Sequence, residues 1–313
     1  MKFRREWPCL VALLLLAALM LAVAPDFYAA GNLRDMLLSN APLLLVAAGM
    51  TFVIIVAQID ISVGSLFGVT ALACGALAKD GCPMELLPFV TLLMGTALGA
   101  VNAGLIALVG VPSIVVTLAT MVIWREALRW VSGGAWIEGL PANFQWLGLG
   151  QSTGRLLIIA LALAIFLFLA WGSRYLWLAR AVFATGSDTE AARVAGVPVK
   201  QVVFWVFVLM GALTGFASFL NAVRFSDVPA NSGMNLELKA IAAVVVGGTP
   251  ITGGKGTLLG TFLGVALLGC LGPALVYLGI NPFWEKAIQG AIILFTVPLE
   301  AFLSHRRQKE AVV

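Results

Sequence analysis

The chain has 313 residues, of which 61% are hydrophobic and 11% charged, against about a quarter charged in soluble domains. Its net charge of +4 comes without a basic block, its four cysteines form no Cys-x-x-Cys pair, and its one histidine is His305. This composition excludes nucleic-acid binding, zinc sites and histidine-based catalysis, calls for no cofactor or metal, and describes one transmembrane domain over residues 1–313.

In chain order, MKFRRE leads into an apolar run over 8–24 that resembles a secretory signal, down to Ala22-Val23-Ala24. No soluble or disulfide-rich stretch follows, so this run is expected to remain as a first span. Further uncharged runs cover 42–59, 61–78, 86–124, 156–173, 201–223, 240–254, 256–284 and 287–299. They are continuous rather than alternating. Lipid leaves no partner for free backbone groups, so they are expected as helices, not barrel strands. The run 86–124 is too long for one span of about 20 residues, and Gly110-Val111-Pro112-Ser113 divides it, because proline disfavours helix before it and lacks an N–H. The last run extends back over Phe283. The expected fold class is all-α: a polytopic integral membrane protein of about ten transmembrane helices.

Lys and Arg near helix ends mark the cytoplasmic side. Lys2, Arg4 and Arg5 precede the first run, and Arg306, Arg307 and Lys309 follow the last. Both termini are therefore expected in the cytoplasm, which requires an even number of spans. The loop 174–200 then falls inside, and the acidic loops at Asp26, Asp80, Glu138 and Asp227 fall outside. Gly95 with Gly99, and Gly256 with Gly260 and Gly264, have the spacing of close helix packing.

Three polar stretches could carry chemistry. "QIDISVGS" places Asp60 and Ser62 between two apolar runs. An ionisable residue there is a functional candidate by default, yet both residues also suit the N-cap of the following helix. Capping is preferred, with a place in the pathway as the alternative. "WREALRW" sets Glu126 and Arg129 on one helix face, with aromatics suited to a membrane interface. "GGTPITGGKGT" invites a phosphate-loop reading and fails it, because Thr249 and Gly256 stand where that motif needs Gly and Ser or Thr. Gly253, Gly254, Lys255 and Gly256 are instead expected as a tight cytoplasmic turn. No nucleophile triad or metal-binding motif occurs, so the chain is not expected to be an enzyme.

"GSDTEAARVAGVPV", 186–199, is the least membrane-like stretch. Asp188 or Ser187 can cap a short helix, Glu190 favours its first turn, and Ala191, Ala192 and Ala195 give it a smooth face. Gly196 and Pro198 end it. A stiff, small-faced helix on the cytoplasmic side suits docking into a groove on another protein.

"TFVIIVAQIDISVGSLFGV", "GSDTEAARVAGV" and "AAVVVGGTPITGGKGTLLGTFLGVALLG" together resemble the permease subunits of bacterial ABC sugar importers, the group serving ribose, xylose, rhamnose and autoinducer 2. The resemblance runs from about residue 32 to 299, in the family's order and spacing, and is least over 130–155. It implies that Asp188, Glu190, Ala191, Ala192 and Gly196 belong to the coupling helix that contacts the ATPase; the family often has Asn-Pro where this chain has Asp188-Thr189. It also implies a multi-pass protein of the bacterial inner membrane. The implied partners are an ABC ATPase subunit, a periplasmic sugar-binding protein and a second permease, identical or a close paralogue. Two rivals stand beside it: a branched-chain amino acid permease of the same superfamily, and an ion-coupled secondary transporter built around Asp60.

Overall fold

The computed structural model describes residues 6–292 and 294. The charged ends read for orientation (Lys2, Arg4, Arg5, Arg306, Arg307, Lys309), His305 and the end of the last apolar run lie outside the described residues. The helices are α1 Trp7–Val23, α2 Ala30–Ile55, α3 Val63–Lys79, α4 Leu87–Ala103, α5 Ser113–Ser132, α6 Gln151–Tyr175, α7 Trp177–Ser187, α8 Thr189–Val194, α9 Val199–Ala222, α10 Leu236–Val246 and α11 Leu258–Tyr277. A further helical stretch opens over 284–292. Among the described residues the only β-pairing is the isolated bridge of Ile137 with Val228. Helices α2, α6, α9 and α11, and α4 with its continuation to Val109, are long and apolar enough to cross a membrane.

Helix α2 is the axis of the bundle. Every residue from 41 to 55 is buried, and α9, α11, α6 and α10 pack around it. A helix apolar on all sides belongs in the interior, and this stretch carries no charge. The helix starts at Ala30, twelve residues before the apolar run, so Asn32, Asp35, Ser39 and Asn40 are helical too. Pro42 sits inside it, tolerated because the helices packed around α2 can satisfy the backbone group it frees.

The other end of α2 also departs from the hydropathy pattern. The helix stops at Ile55, and Ala57 takes φ 57°. The Ala57 N–H donates to Ile54 O at 2.9 Å and that of Gln58 to Val53 O at 3.0 Å, closing a Schellman cap. Residues 56–62 are non-helical, and α3 begins at Val63. Val56, Asp60 and Ser62 of this segment are buried, and its backbone finds partners in protein: Ser113 Oγ accepts from Ile59 N–H and Thr117 Oγ1 donates to Ile59 O, both at 3.4 Å.

The break at 110–113 is present. Helix α4 continues as a π-type turn, Gly104–Val109, and ends at Gly110 with φ 89°. Gly95 and Gly99 lie backbone to backbone against Gly211 and Gly215 of α9; a Cβ on Gly215 would sit 3.0 Å from Gly95 Cα. Gly260 and Gly264 of α11 meet Gly247 and Ala243 in the same way. Gly256, the third member of that spacing, instead lies in the turn before α11. The run 240–254 becomes α10, which starts four residues earlier and has 11 residues, about 16 Å of helix. It is shortened because 247–257 turns back as a glycine-rich loop.

The helices define two ends. Glu6, Ile55, α7, α8, the start of α9 and the loop 247–257 lie at one, called here the α8 end. The loops 24–29, 80–86 and 133–150 lie at the other, and 223–235 runs from there into the bundle, where Gly233 packs on Gly64 at the start of α3.

Candidate functional site

Helix α8 has six residues, too few to hold by propensity alone. Its ends hold it. Asp188 Oδ1 accepts from Glu190 N–H at 3.0 Å and Ala191 N–H at 2.9 Å, so Asp188, not Ser187, is the cap. At the other end Gly196 has φ 84°; its N–H reaches Arg193 O at 3.0 Å and the Val197 N–H reaches Ala192 O at 2.9 Å, a second Schellman closure. Glu190 and Arg193 pair at 2.6 Å on the surface. The alanines do not share one face. Ala192 is 5% exposed and seats the helix on the bundle, whereas Ala191 and Ala195 point outward. Val194, not singled out in the sequence, is 82% exposed. The outer surface of α8 is therefore Glu190, Ala191, Val194 and Ala195, with Gly196 open beside them.

The root of α8 is tied to the axis of the bundle. Gly254 N–H donates to Ile55 O at 2.8 Å, taking a carbonyl that the end of α2 leaves free. Ser187 Oγ donates to Gly254 O at 3.2 Å. Gly186 lies directly on the Ile55 carbonyl, with no room for a side chain. Gly253 and Gly254 have φ 81° and 73°, the left-handed conformation that glycine adopts without strain. Lys255 is exposed, and Gly256 packs on Thr249. The glycine turn is thus a wedge between the base of α8 and the end of α2.

From this wedge the chain runs into the 56–62 segment. Asp60 is 1% exposed. Its Oδ1 accepts from Ser62 N–H at 2.9 Å and from Ser62 Oγ at 2.6 Å, and Asn102 Nδ2 donates to Ser62 Oγ at 2.8 Å. Neither Asp60 nor Ser62 accepts from the first turn of α3; Asp60 closes a turn onto the N-cap residue instead. Asn102 lies seven residues before Val109, about 10 Å along the helix, so the network sits within the helical layer rather than at its rim. Asn102 Oδ1 is buried without a partner. The sequence signal for Asn102 was its lone amide in an apolar run. Arg125 is committed elsewhere, donating to Gly64 O at 2.8 Å and Ser232 O at 3.0 Å.

At the opposite end, the polar half of α2 lines a cavity of about 410 Å³. Asn32, Asp35, Ser39 and Asn40 fall on one face of the helix, by the i, i+3, i+7 spacing. Lys239 and Glu285 face each other at 2.7 Å, and Gln289 Nε2 donates to Glu285 Oε1 at 2.8 Å. Gly269 and Gly272 of α11 leave the space that Asn40 and Glu285 occupy. None of these residues stands out by hydropathy, because each sits at the edge of an apolar run.

Residues 32–297 match the family model described as branched-chain amino acid transport system / permease component. The chain is 34% identical over 308 residues to the autoinducer 2 import system permease protein LsrC of Escherichia coli O157:H7, covering 95% of this chain and 90% of that protein. The LsrC protein of Salmonella typhi is 33% identical over 313 residues, with 98% and 90% covered. That of Shigella flexneri is 34% identical over 308 residues, with 95% and 90% covered. No solved structure matches the chain.

Proposed function

The chain belongs to the branched-chain amino acid transport system / permease component family, and from that premise we propose that it forms the membrane pathway of an ATP-driven importer for a sugar or sugar-like solute. The family description names amino acids, but the relatives named above serve autoinducer 2 import. "IDISVGS" and "GGKGT" point the same way. A separate ATPase subunit docks on α8, a periplasmic binding protein delivers solute at the opposite end, and a second permease, identical or paralogous, completes the pathway. The chain spans the bacterial inner membrane as ten helices, with both termini, the loop 174–200 and the α8 end in the cytoplasm. It carries no catalytic residue; ATP is hydrolysed on the partner.

The observation that carries this reading is the continuity of α2. One end of this buried helix is hydrogen-bonded to the wedge beneath α8, and its other half lines the polar cavity. A short helix capped at both ends moves as a unit. A push on it passes through Gly186 and Gly254 to Ile55 by backbone contacts, which yield little. Closure of the ATPase can therefore alter the cavity without any flexible linker in between.

The test is uptake by the complex in proteoliposomes with its ATPase and binding protein, using autoinducer 2, ribose and leucine as probes. Uptake of a sugar-like probe that requires ATP and the binding protein is expected. Uptake driven by a proton or sodium gradient without the ATPase would overturn the reading in favour of a secondary transporter, and uptake of leucine alone would favour the amino acid permease.

A further inference from the structure

The lining of the cavity beside α2 says more than that solute passes through. We infer that it is a binding station for an uncharged, hydroxyl-rich solute, an inference that rests on the importer reading above. Its walls come from the polar half of α2, the end of α9 at Asn221, the start of α10 near Lys239, the end of α11, and Glu285 and Gln289 of the last helical stretch. All of these are segment ends opposite α8, where a delivered solute would arrive.

The polar groups suit hydroxyls and not a charged ligand. Asn32, Asn40, Asn221 and Gln289 are amides; the first two and Gln289 each spend one N–H on Phe27 O, Met36 O and Glu285 Oε1, and Asn221 Oδ1 accepts from Arg224, which leaves each a second N–H or a lone pair for a ligand. The charges are paired: Lys239 lies 2.7 Å from Glu285, and Asp35 lies 3.1 Å from Arg155. The carboxylate of an amino acid would meet Lys239 already held by Glu285, and Arg224, behind the lining, already donating to Ser39 Oγ at 3.1 Å and Asn221 Oδ1 at 3.3 Å, whereas a hydroxyl can donate to one amide and accept from the next. The floor is apolar, formed by Leu43, Phe67 and Leu268, all under 8% exposed. Such a wall suits the C–H face of a small sugar, and the volume of about 410 Å³ lies in the range of small-molecule pockets, about 300–1,000 Å³. Ionisable side chains between membrane helices are costly, so a paired Lys239 and Glu285 there mark a functional candidate. Here the glycines at 269 and 272 also keep the space open, since a Cβ at Gly272 would lie 2.6 Å from Glu285 Oε2.

Two experiments test the station. In the reconstituted complex, Asn221→Leu, Gln289→Leu and the cavity-filling Gly269→Leu are expected to slow uptake of autoinducer 2 or ribose about three- to tenfold, the scale of one lost hydrogen bond. ATPase stimulation by loaded binding protein should stay within about twofold of wild type, because the α8 junction is untouched. Wild-type uptake of leucine and of neither sugar overturns the importer reading, and this inference with it. Wild-type sugar uptake unchanged in all three variants overturns the station alone. The second experiment needs no transport and only a mild substitution. With the native cysteines replaced, Asn221→Cys and, as a control, Lys255→Cys are alkylated in the detergent-solubilised complex. High ribose should slow the reaction at 221 and not at 255, and leucine should slow neither. Equal rates with and without ribose, or equal slowing by leucine, overturn the station.

Discussion

Replacing Gly186 by alanine tests the lever at its tightest point. Gly186 lies in α7, where alanine is the better helix former, so any loss must come from collision. The added Cβ would overlap the Ile55 carbonyl oxygen, and would stand 2.7 Å from the Ile55 carbonyl carbon and 2.8 Å from Gly254 N. These are backbone atoms at the end of α2 and in the glycine turn, so no flexible side chain can swing aside. Overpacking costs about 1–3 kcal/mol, and an immobile obstacle puts this case at the upper end, about 3 kcal/mol. The simplest relief parts α7 from α2 and breaks the Gly254–Ile55 hydrogen bond. A shift of about 3 kcal/mol changes the ratio of joined to parted junctions about a hundredfold. In proteoliposomes containing the full complex, Gly186→Ala should therefore abolish most uptake and most ATPase stimulation by loaded binding protein, while the permease still inserts. Gly104→Ala, where nothing lies within 4 Å of the new Cβ, should leave both activities intact. Normal uptake and normal stimulation in Gly186→Ala would refute the lever.

On α8, Val194→Asp should reduce stimulated hydrolysis and uptake together without lowering the amount of inserted permease, whereas Ala192→Trp should unseat the helix and expose 189–194 to faster amide exchange; equal exchange in both would show that Ala192 is not the seat. Asp188→Ala should weaken the helix by about 1 kcal/mol, seen as faster exchange at Glu190 and Ala191, and Asp188→Asn should restore it. Asp60→Asn keeps an acceptor for Ser62 and should retain uptake; if it abolishes uptake in an assembled complex, the charge itself is needed. With the native cysteines removed, an impermeant thiol reagent should label Asn143→Cys in intact cells and spare Ser187→Cys, and the reverse pattern would invert the topology.

Hydropathy and local chemistry were enough for much of this protein. Runs without charge can only be helices in lipid, so the all-helical class was determined by composition. Gly110 and Pro112 divide their long run because backbone geometry alone forbids continuous helix there, and Asp188 and Gly196 bound α8 through bonds made within a few residues of themselves. What only the tertiary structure decided are the pairings between distant segments. Hydropathy placed the start of α2 at residue 42, because it reads solubility in lipid; the polar turns before it are helical because α11 and the last helical stretch enclose them around a cavity. Asp60 and Ser62 looked like caps at a helix end. The structure puts them inside the bundle, because Asp60 and Ser62 bond each other, Asn102 donates to Ser62, and Ser113 and Thr117 partner the neighbouring Ile59 backbone, in place of water. The turn at 253–256 looked like a connector, and nothing local tells that its Gly254 N–H completes the end of α2, two hundred residues earlier, beneath Gly186. Close approach of backbones is a property of two surfaces at once, and a sequence displays only one of them at a time.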